Sequence, residues 1–225
     1  ANRLTSKSLT NFRDMTAYAD KCVGRIVDAL EKYGLREKTV IIYTTDNGTG
    51  RSLTYPYGKE KRKGEKAYAT DGGTHAPLIV NCPGTVPAGT VSDDLVDFSD
   101  VLPTIADITG AKLPEVKLDG RSFWPQCLGT KGNPRDFIFQ YYYPKYKPAA
   151  AKHGQGVNDQ EIIWAQNQRH KLYRDGTLYA VIDRYEKTPL SPGVSTQADK
   201  DRDLLQKGLD SMPLKAAKLS LKKKK

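Results

Sequence analysis

Four polar side chains in this chain of 225 residues have types and positions suited to binding a metal ion and an anion. Asp46 and Asn47 follow a run of apolar and β-branched residues, and a carboxylate beside an amide oxygen offers the hard ligands that Ca²⁺ or Mg²⁺ prefers. Lys66 lies in a Gly-x-Lys sequence, and its ammonium is a compact charge that can hold an anionic oxygen. His75 precedes a second apolar run and could bind an anion or a substrate hydroxyl.

Each of these residues also has an ordinary structural interpretation. Asp-Asn-Gly is a common turn that can simply close a strand. Lys66 lies in a basic segment whose lysines could all be solvated, and His75 could pack at the entrance of a strand. The motifs taken singly leave both interpretations open.

The elements around these residues are typical of an α/β fold. Apolar residues three and four apart predict a helix over 15–30 with one buried face, ended by Tyr33-Gly34. The runs 40–45 and 76–82 are apolar on both faces, which predicts buried strands of a parallel sheet. Ligands of open α/β sheets bind at the carboxyl ends of the strands, so we expect Asp46 and Asn47 to face a cleft there.

The rest of the chain divides into a loop-rich part and a small β-rich part. The segment 49–71 is polar, glycine-bearing and basic, and it predicts a long surface loop. Residues 99–109 predict a helix capped by Ser99 or Asp100 and ended by Gly110. Short strands are predicted over 137–143, 161–166, 169–174 and 177–183, with Asp175-Gly176 as a two-residue hairpin turn and a final helix over 198–209. We therefore expect an α/β domain over 1–134, an antiparallel subdomain over 135–212 and a basic tail over 213–225.

Composition excludes some classes of protein. No run approaches the ~20 apolar residues of a membrane span, and no apolar segment of a signal peptide begins the chain. The net charge of +10 is concentrated in 59–66 and in 215–225. We interpret the second run as a solvated end, with attraction of nucleic acid or of acidic polymers, sulfated ones included, as the alternatives. No nucleic-acid-binding signature accompanies the charge, so we expect no nucleic-acid partner.

A series of motifs, in order along the chain, resembles the sulfatase family. The motifs are Thr45-Asp46-Asn47-Gly48, Gly64-Glu65-Lys66, Asp71-Gly72-Gly73-Thr74-His75-Ala76-Pro77 and Pro83-Gly84. Similar segments lie upstream over 20–30 and downstream over 97–105, 118–122 and 170–176. Each motif is common by itself, but the ordered set covers most of residues 15–185.

The resemblance implies the fold of the alkaline-phosphatase superfamily, a mixed sheet flanked by helices followed by a small antiparallel sheet with a helix. It implies a sulfuric ester hydrolase that depends on Ca²⁺, with Mg²⁺ less favoured, acts on sulfated glycans or small aryl sulfates, and is periplasmic or secreted. Asp46 and Asn47 would then be metal ligands, and Lys66 would be a catalytic residue that contacts the sulfate. His75 would be a substrate-binding residue at a position where many family members have arginine.

The nucleophile of the family is absent from this sequence. Sulfatases oxidise the first residue of a Cys/Ser-x-Pro/Ala-x-Arg motif to formylglycine, and Cys22, Cys82 and Cys127 lie in no such motif, nor in a disulfide framework or a zinc site. Calcium also takes about six to eight ligands, more than Asp46 and Asn47 supply. We therefore expect the chain to be the C-terminal part of a longer protein, inactive by itself, whose N-terminal part holds the formylglycine and the remaining ligands.

Three other interpretations stay open at this point. The first is a phosphoesterase or phosphonate hydrolase of the same superfamily. The second is a non-catalytic fragment whose basic surface binds anions. The third is a truncated fold whose open sheet edges drive self-association.

Overall fold

The computed structural model describes residues 6–142 and 162–212. Its helices are α1 (Ser6–Lys32), α2 (Asp71–Thr74), α3 (Val101–Thr109), α4 (Trp124–Cys127) and α5 (Thr196–Ser211), with 3₁₀ turns over Arg36–Lys38 and Phe98–Asp100. Its strands are β1 (Ile41–Thr44), β2 (Thr54–Tyr57), β3 (Glu60–Lys63), β4 (Leu78–Asn81), β5 (Ile138–Tyr142), β6 (Ile162–Gln166), β7 (His170–Tyr173) and β8 (Leu178–Ala180). The predicted basic tail lies outside the described residues. Within the described ranges, no helix is both long enough and apolar enough to cross a bilayer.

The first helix ends where the sequence predicts, but its apolar face is not covered. Gly34 follows α1 with a left-handed φ of 64°, and the N–H of Leu35 donates to the carbonyl of Leu30 at 2.8 Å. Met15, Tyr18 and Ile26, which the periodicity places on the buried face, are exposed. The expectation of a buried face is wrong for the described residues, because periodicity records an amphipathic face and not its partner.

The first two apolar runs form an antiparallel pair. Ile41 of β1 lies opposite Asn81 of β4, and Thr44 lies opposite Leu78. The prediction of a parallel sheet is therefore wrong for these strands. A parallel pair needs a crossover connection, usually a helix, whereas the chain from 45 to 77 turns back through a hairpin and the short α2.

The predicted loop over 49–71 contains that hairpin. β2 pairs with β3, with Tyr57 opposite Glu60, and Gly58 adopts a φ of 58° in the turn between them. The sequence conceals the hairpin because Pro56 lies within β2 and because β3 consists of charged residues without apolar alternation.

Helix α3 begins after Asp100, one of the two predicted capping residues, but the Asp100 side chain makes no capping hydrogen bond to α3. A capping box lies in the 3₁₀ turn just before α3: the Asp97 carboxylate accepts the N–H of Ser99 at 2.9 Å, and the N–H of Asp97 donates to Asp100 Oδ2 at 2.8 Å. The same carboxylate of Asp100 also forms a buried ion pair with Arg135, whose Nε lies 2.8 Å from Oδ2. This ion pair fastens the start of α3 to the chain that leads into β5.

The second half is a four-stranded antiparallel sheet in the order β5-β6-β7-β8, as predicted. The hairpin between β7 and β8 has three loop residues rather than two, because the N–H of Tyr173 donates to the carbonyl of Thr177 at 2.9 Å. The helix α5 covers one face of the sheet with an apolar core of Ile163, Ala165, Leu172, Leu178, Ala198, Leu205 and Leu209. On the opposite face Trp164, Tyr173 and Tyr179 pack against Ala69, so this face carries the segment between Lys66 and His75.

Candidate active site

The four predicted site residues line one open groove of about 1790 Å³. Asp46 and Asn47 lie in the turn that follows β1, Lys66 lies after the β2–β3 hairpin, and His75 follows α2. Further walls come from β4, from the segment 86–98 and from the start of β5. The structure thus brings together residues that are 29 positions apart at most in the sequence (75 − 46 = 29).

Asp46 and Lys66 lie next to each other on the groove. The Nζ of Lys66 is 3.9 Å from Oδ2 of Asp46, and the two side chains are 55% and 80% exposed. An ion pair this exposed contributes little to stability. The pair is relevant for its geometry, because one small ligand could contact the carboxylate and the ammonium at the same time.

A close backbone approach positions the turn that carries Asp46. The N–H of Gly48 donates to the carbonyl of Gly73 at 3.0 Å. A Cβ at Gly48 would lie 1.8 Å from the carbonyl oxygen of Gly72, which is backbone and cannot move aside easily. Glycine at position 48 therefore allows the turn after β1 to rest on α2, beside His75.

A second close approach positions Lys66. The N–H of Lys66 donates to the carbonyl of Thr49 at 3.0 Å. A Cβ at Gly64 would lie 2.2 Å from the carbonyl oxygen of Gly50, so only glycine lets the two segments meet. The residue after Lys66, Ala67, has a φ of 73°, the left-handed region that L-residues other than glycine rarely adopt.

His75 is held by one ring nitrogen and exposed at the groove. Its side chain is 72% exposed, and its Nδ1 lies 3.2 Å from Oδ1 of Asp71. The hydrogen bond to Asp71 raises the pKa of His75 above its ordinary value, with burial opposing the effect. Burial disfavours ionisation of Asp71, but the hydrogen bond from His75 and the charges of His75, Arg184 and Lys171 together lower the pKa of Asp71.

Asp71 is also supported from the far side. The Nη1 of Arg184 lies 3.4 Å from Oδ2 of Asp71. Glu65 is buried nearby, where the hydroxyl of Thr70 donates to its Oε2 at 2.9 Å. Burial raises the pKa of Glu65. The hydrogen bond from Thr70 and the positive charge of Arg184 oppose this rise.

A buried ion pair that the sequence did not reveal lies beneath the segment 66–75. Lys171, 2% exposed, donates from Nζ to the carbonyl of Ala69 and lies 2.8 Å from Oε1 of Glu186. The hydroxyl of Tyr173 donates to the other oxygen of Glu186. The only sequence signal was strand alternation, which places Lys171 on the same face of β7 as Tyr173.

Metal binding by this groove can be judged from its donor set. Within 6–142 and 162–212, no three His, Cys, Asp or Glu side chains are grouped closely enough to hold a metal ion. The oxygens of Asp46 and Asn47 fit part of a calcium shell by chemical type, but they fall short of the about six to eight ligands that calcium takes.

Two family models match the chain. The model described as "Sulfatase" matches residues 2–111, and the model described as "N-sulphoglucosamine sulphohydrolase, C-terminal" matches residues 60–189. Among curated proteins, the chain is 37% identical to arylsulfatase A of Homo sapiens over 137 residues, which are 60% of this chain and 26% of that protein. It is 30% identical to arylsulfatase K of Rattus norvegicus over 181 residues, which are 78% of this chain and 30% of that protein.

Solved structures share the fold. The phosphonate monoester hydrolase of Agrobacterium radiobacter superposes with a TM-score of 0.65 and 26% sequence identity, over 93% of this chain and 43% of that one. This likeness confirms the predicted α/β fold with a mixed sheet flanked by helices and a small antiparallel sheet. The chain spans less than half the length of that hydrolase and less than a third of the two curated relatives.

Proposed function

The chain belongs to the sulfatase family of the alkaline-phosphatase superfamily, and we propose that it forms one side of the active site of a sulfuric ester hydrolase. The observation that carries the proposal is the meeting of Asp46 and Lys66, with 3.9 Å between Oδ2 and Nζ, on a groove that His75 also lines. The arrangement combines oxygen ligands for a cation with an ammonium for an anion.

The residue types suit the reaction. A sulfate ester carries a negative charge, and more charge develops on the leaving oxygen as the S–O bond breaks. A positioned ammonium such as that of Lys66 stabilises this charge without reorganising at the moment of reaction. We assign Lys66 the role of contacting a sulfate oxygen.

We assign Asp46 and Asn47 to a metal site, with Ca²⁺ preferred to Mg²⁺. Calcium accepts a flexible set of carboxylate and carbonyl oxygens, and Mg²⁺ demands a tighter octahedron. When bound, the cation would polarise the sulfate oxygens. The remaining ligands, and the nucleophile as a formylglycine, would come from a part of the protein other than the chain described here.

We assign His75 to substrate binding. Its Nδ1 is held by Asp71 at 3.2 Å, so Nε2 is the ring atom left for substrate, and it would donate to a substrate hydroxyl or to the sulfate when the ring is protonated. A sulfated glycan or a small aryl sulfate both fit this role, and we propose a periplasmic or secreted location on the basis of the family resemblance.

The experiment is an assay of the intact protein with a chromogenic aryl sulfate and calcium. We expect turnover that Asp46→Ala abolishes, and we expect the 225-residue chain alone to show none. Turnover by the chain alone, lost in Asp46→Ala, would show that the nucleophile lies within this sequence. Absence of turnover by the intact protein would remove the proposal.

A phosphonate monoester hydrolase is the second candidate. It is favoured by the superposition on the Agrobacterium radiobacter enzyme over 93% of this chain, and the same cation and ammonium would serve a phosphonate ester. An aryl sulfate and an aryl phosphonate monoester assayed in parallel separate the two candidates by their kcat/KM ratio. Anion binding with steep salt dependence and no turnover of either ester would favour the non-catalytic alternative.

A further inference from the structure

We propose that Lys171 of β7 and Glu186, in the turn after β8, are positioning residues for Lys66. They hold the backbone of residues 66–70 against the sheet, so that the ammonium of Lys66 keeps its place beside Asp46. The inference rests on the proposed function of Lys66, but the positioning itself can be measured independently of activity.

The first support is the donor that Lys171 directs at the segment. Its Nζ donates to the carbonyl of Ala69, three residues after Lys66, across a separation of 102 positions in the chain. Ala69 is fully buried against Trp164, Tyr173 and Tyr179. The contact is therefore specific to one carbonyl in a dry environment, where a charge-assisted hydrogen bond is strong and its loss is costly.

The second support is the enclosure of Lys171 itself. Its ammonium lies 4.4 Å from the ring centre of Trp164 and 4.9 Å from that of Tyr173, and Glu186 lies 2.8 Å away. Glu186 is fixed in turn by the hydroxyl of Tyr173. An ammonium fixed on all these sides cannot follow the segment if the segment moves, so it acts as a rigid anchor.

The third support is strain next to Lys66. Ala67 has a φ of 73°, a conformation that persists only where the surroundings impose it. The hydroxyl of Tyr142, at the end of β5, donates to the carbonyl of Ala67 at 3.0 Å. Two strands of the same sheet, β5 and β7, thus hold the segment at residues 67 and 69. Both positions follow closely after Lys66, whose ammonium must keep its place beside Asp46.

A parallel connection reaches His75. Arg184, two residues before Glu186, lies 3.4 Å from Asp71, which holds His75. A cavity of about 10 Å³, the size of one water molecule, is lined by Asp71, Lys171 and Glu186. The turn after β8 therefore supports both Lys66 and His75.

The test compares two variants of the intact protein. Lys171→Met removes the donor to Ala69 and leaves Glu186 buried without its cation, so it should lower both Tm and kcat/KM. The double variant Lys171→Met/Glu186→Leu replaces the pair by apolar side chains, which is often neutral for stability, but it does not restore the donor to Ala69. We expect the double variant to regain most of the Tm while kcat/KM remains about 10²-fold low, the scale of a misplaced catalytic group, with kcat falling more than KM rises.

Hydrogen exchange supplies a readout that needs no activity. The N–H groups of Lys66 and Tyr68 donate to the carbonyls of Thr49 and Glu65, and we expect them to exchange at least about 10-fold faster in both variants, since the segment opens more often. Arg169→Gln is the matched control. It breaks the ion pair between Arg169, immediately before β7, and Asp201 of α5 without touching the segment, so it should leave these amides unchanged.

The outcomes separate the two proposals. Recovery of kcat/KM together with Tm in the double variant, or unchanged exchange at Lys66 and Tyr68, would overturn the positioning role. If the wild-type protein hydrolyses neither ester, the proposed function fails, and the exchange measurement still decides whether Lys171 and Glu186 hold the segment.

Discussion

Replacing Lys66 by alanine gives the sharpest test of the site, because the chain supplies its own control. Lys63, three residues earlier at the end of β3, is an exposed lysine of the same basic segment. The structure places Lys66 on the groove with its Nζ 3.9 Å from Asp46, whereas Lys63 is not among the residues that line it. The two variants remove the same charge from neighbouring positions, so they differ only in geometry.

The magnitude follows from the location. Two unit charges about 4 Å apart interact by about 1 kcal/mol in water and by about 4 kcal/mol at the effective dielectric near a protein surface. Lys66 is 55% exposed in the free groove, so its full effect requires substrate to exclude water from it. Removal of one preorganised donor then costs ~3–4 kcal/mol, or roughly 10²–10³ in rate.

The assay is kcat/KM of the intact protein with a chromogenic aryl sulfate, measured for wild type, Lys66→Ala and Lys63→Ala at two ionic strengths. We expect a loss of about 10²–10³-fold for Lys66→Ala. We expect less than about threefold for Lys63→Ala, since exposed charges are screened. Equal losses in the two variants, or full activity of Lys66→Ala, would mean that the segment acts as a diffuse basic surface and that Lys66 has no individual role.

Three further predictions concern stability. His75→Gln should flatten the pH dependence of Tm: the pKa of His75 is raised in the folded state, so its pairing with Asp71 stabilises fully below about pH 6.5 and is lost as pH rises through the raised value. A wild-type Tm that instead rose with pH over that window would refute the pairing. Gly48→Ala should destabilise by about 1–3 kcal/mol in urea unfolding, because the new Cβ would meet the carbonyl of Gly72. Gly24→Ala, in α1 with nothing within 4 Å, should instead stabilise by about 0.5–1 kcal/mol, and similar values for both would contradict the close approach. Arg135→Met should destabilise by about 3–5 kcal/mol, since it leaves Asp100 buried without its cation; a change under about 1 kcal/mol would show that the N–H groups of Asp97 and Arg121, which also donate to Asp100, satisfy it without Arg135.

Local sequence patterns predicted the elements whose cause is local. The helix stop at Gly34, the strands of the second half and α5 depend on glycine conformation and on apolar periodicity within a few residues. The antiparallel pairing of β1 with β4 depends on the path of the intervening chain, which no pattern within either strand records. The β2–β3 hairpin was missed for a related reason, since a strand of four charged residues has no apolar alternation to reveal it.

The same distinction applies to the site. Asp46, Asn47, Lys66 and His75 could be chosen because their types suit a cation and an anion and because they follow apolar runs or glycines. Which of them meet could not be read from the sequence, because it depends on backbone contacts such as the one between Gly48 and Gly73.

The residues that support Lys66 and His75 give no such signal in the sequence. Lys171 and Arg184 lie more than 100 positions after Lys66, and a lysine or arginine in a strand or turn usually indicates a solvated charge. Here each is directed inward, Lys171 to the carbonyl of Ala69 and Arg184 to Asp71. Four of the ten residues in 66–75 are alanine or glycine, whose side chains form no hydrogen bonds. A rigid neighbour adds to the fixation of such a segment, and the four-stranded sheet, with its own core against α5, provides one. If Lys171 has the proposed positioning role, the small antiparallel sheet supports the groove, and changes at Lys171 should affect Lys66 although the two residues lie on separate parts of the chain.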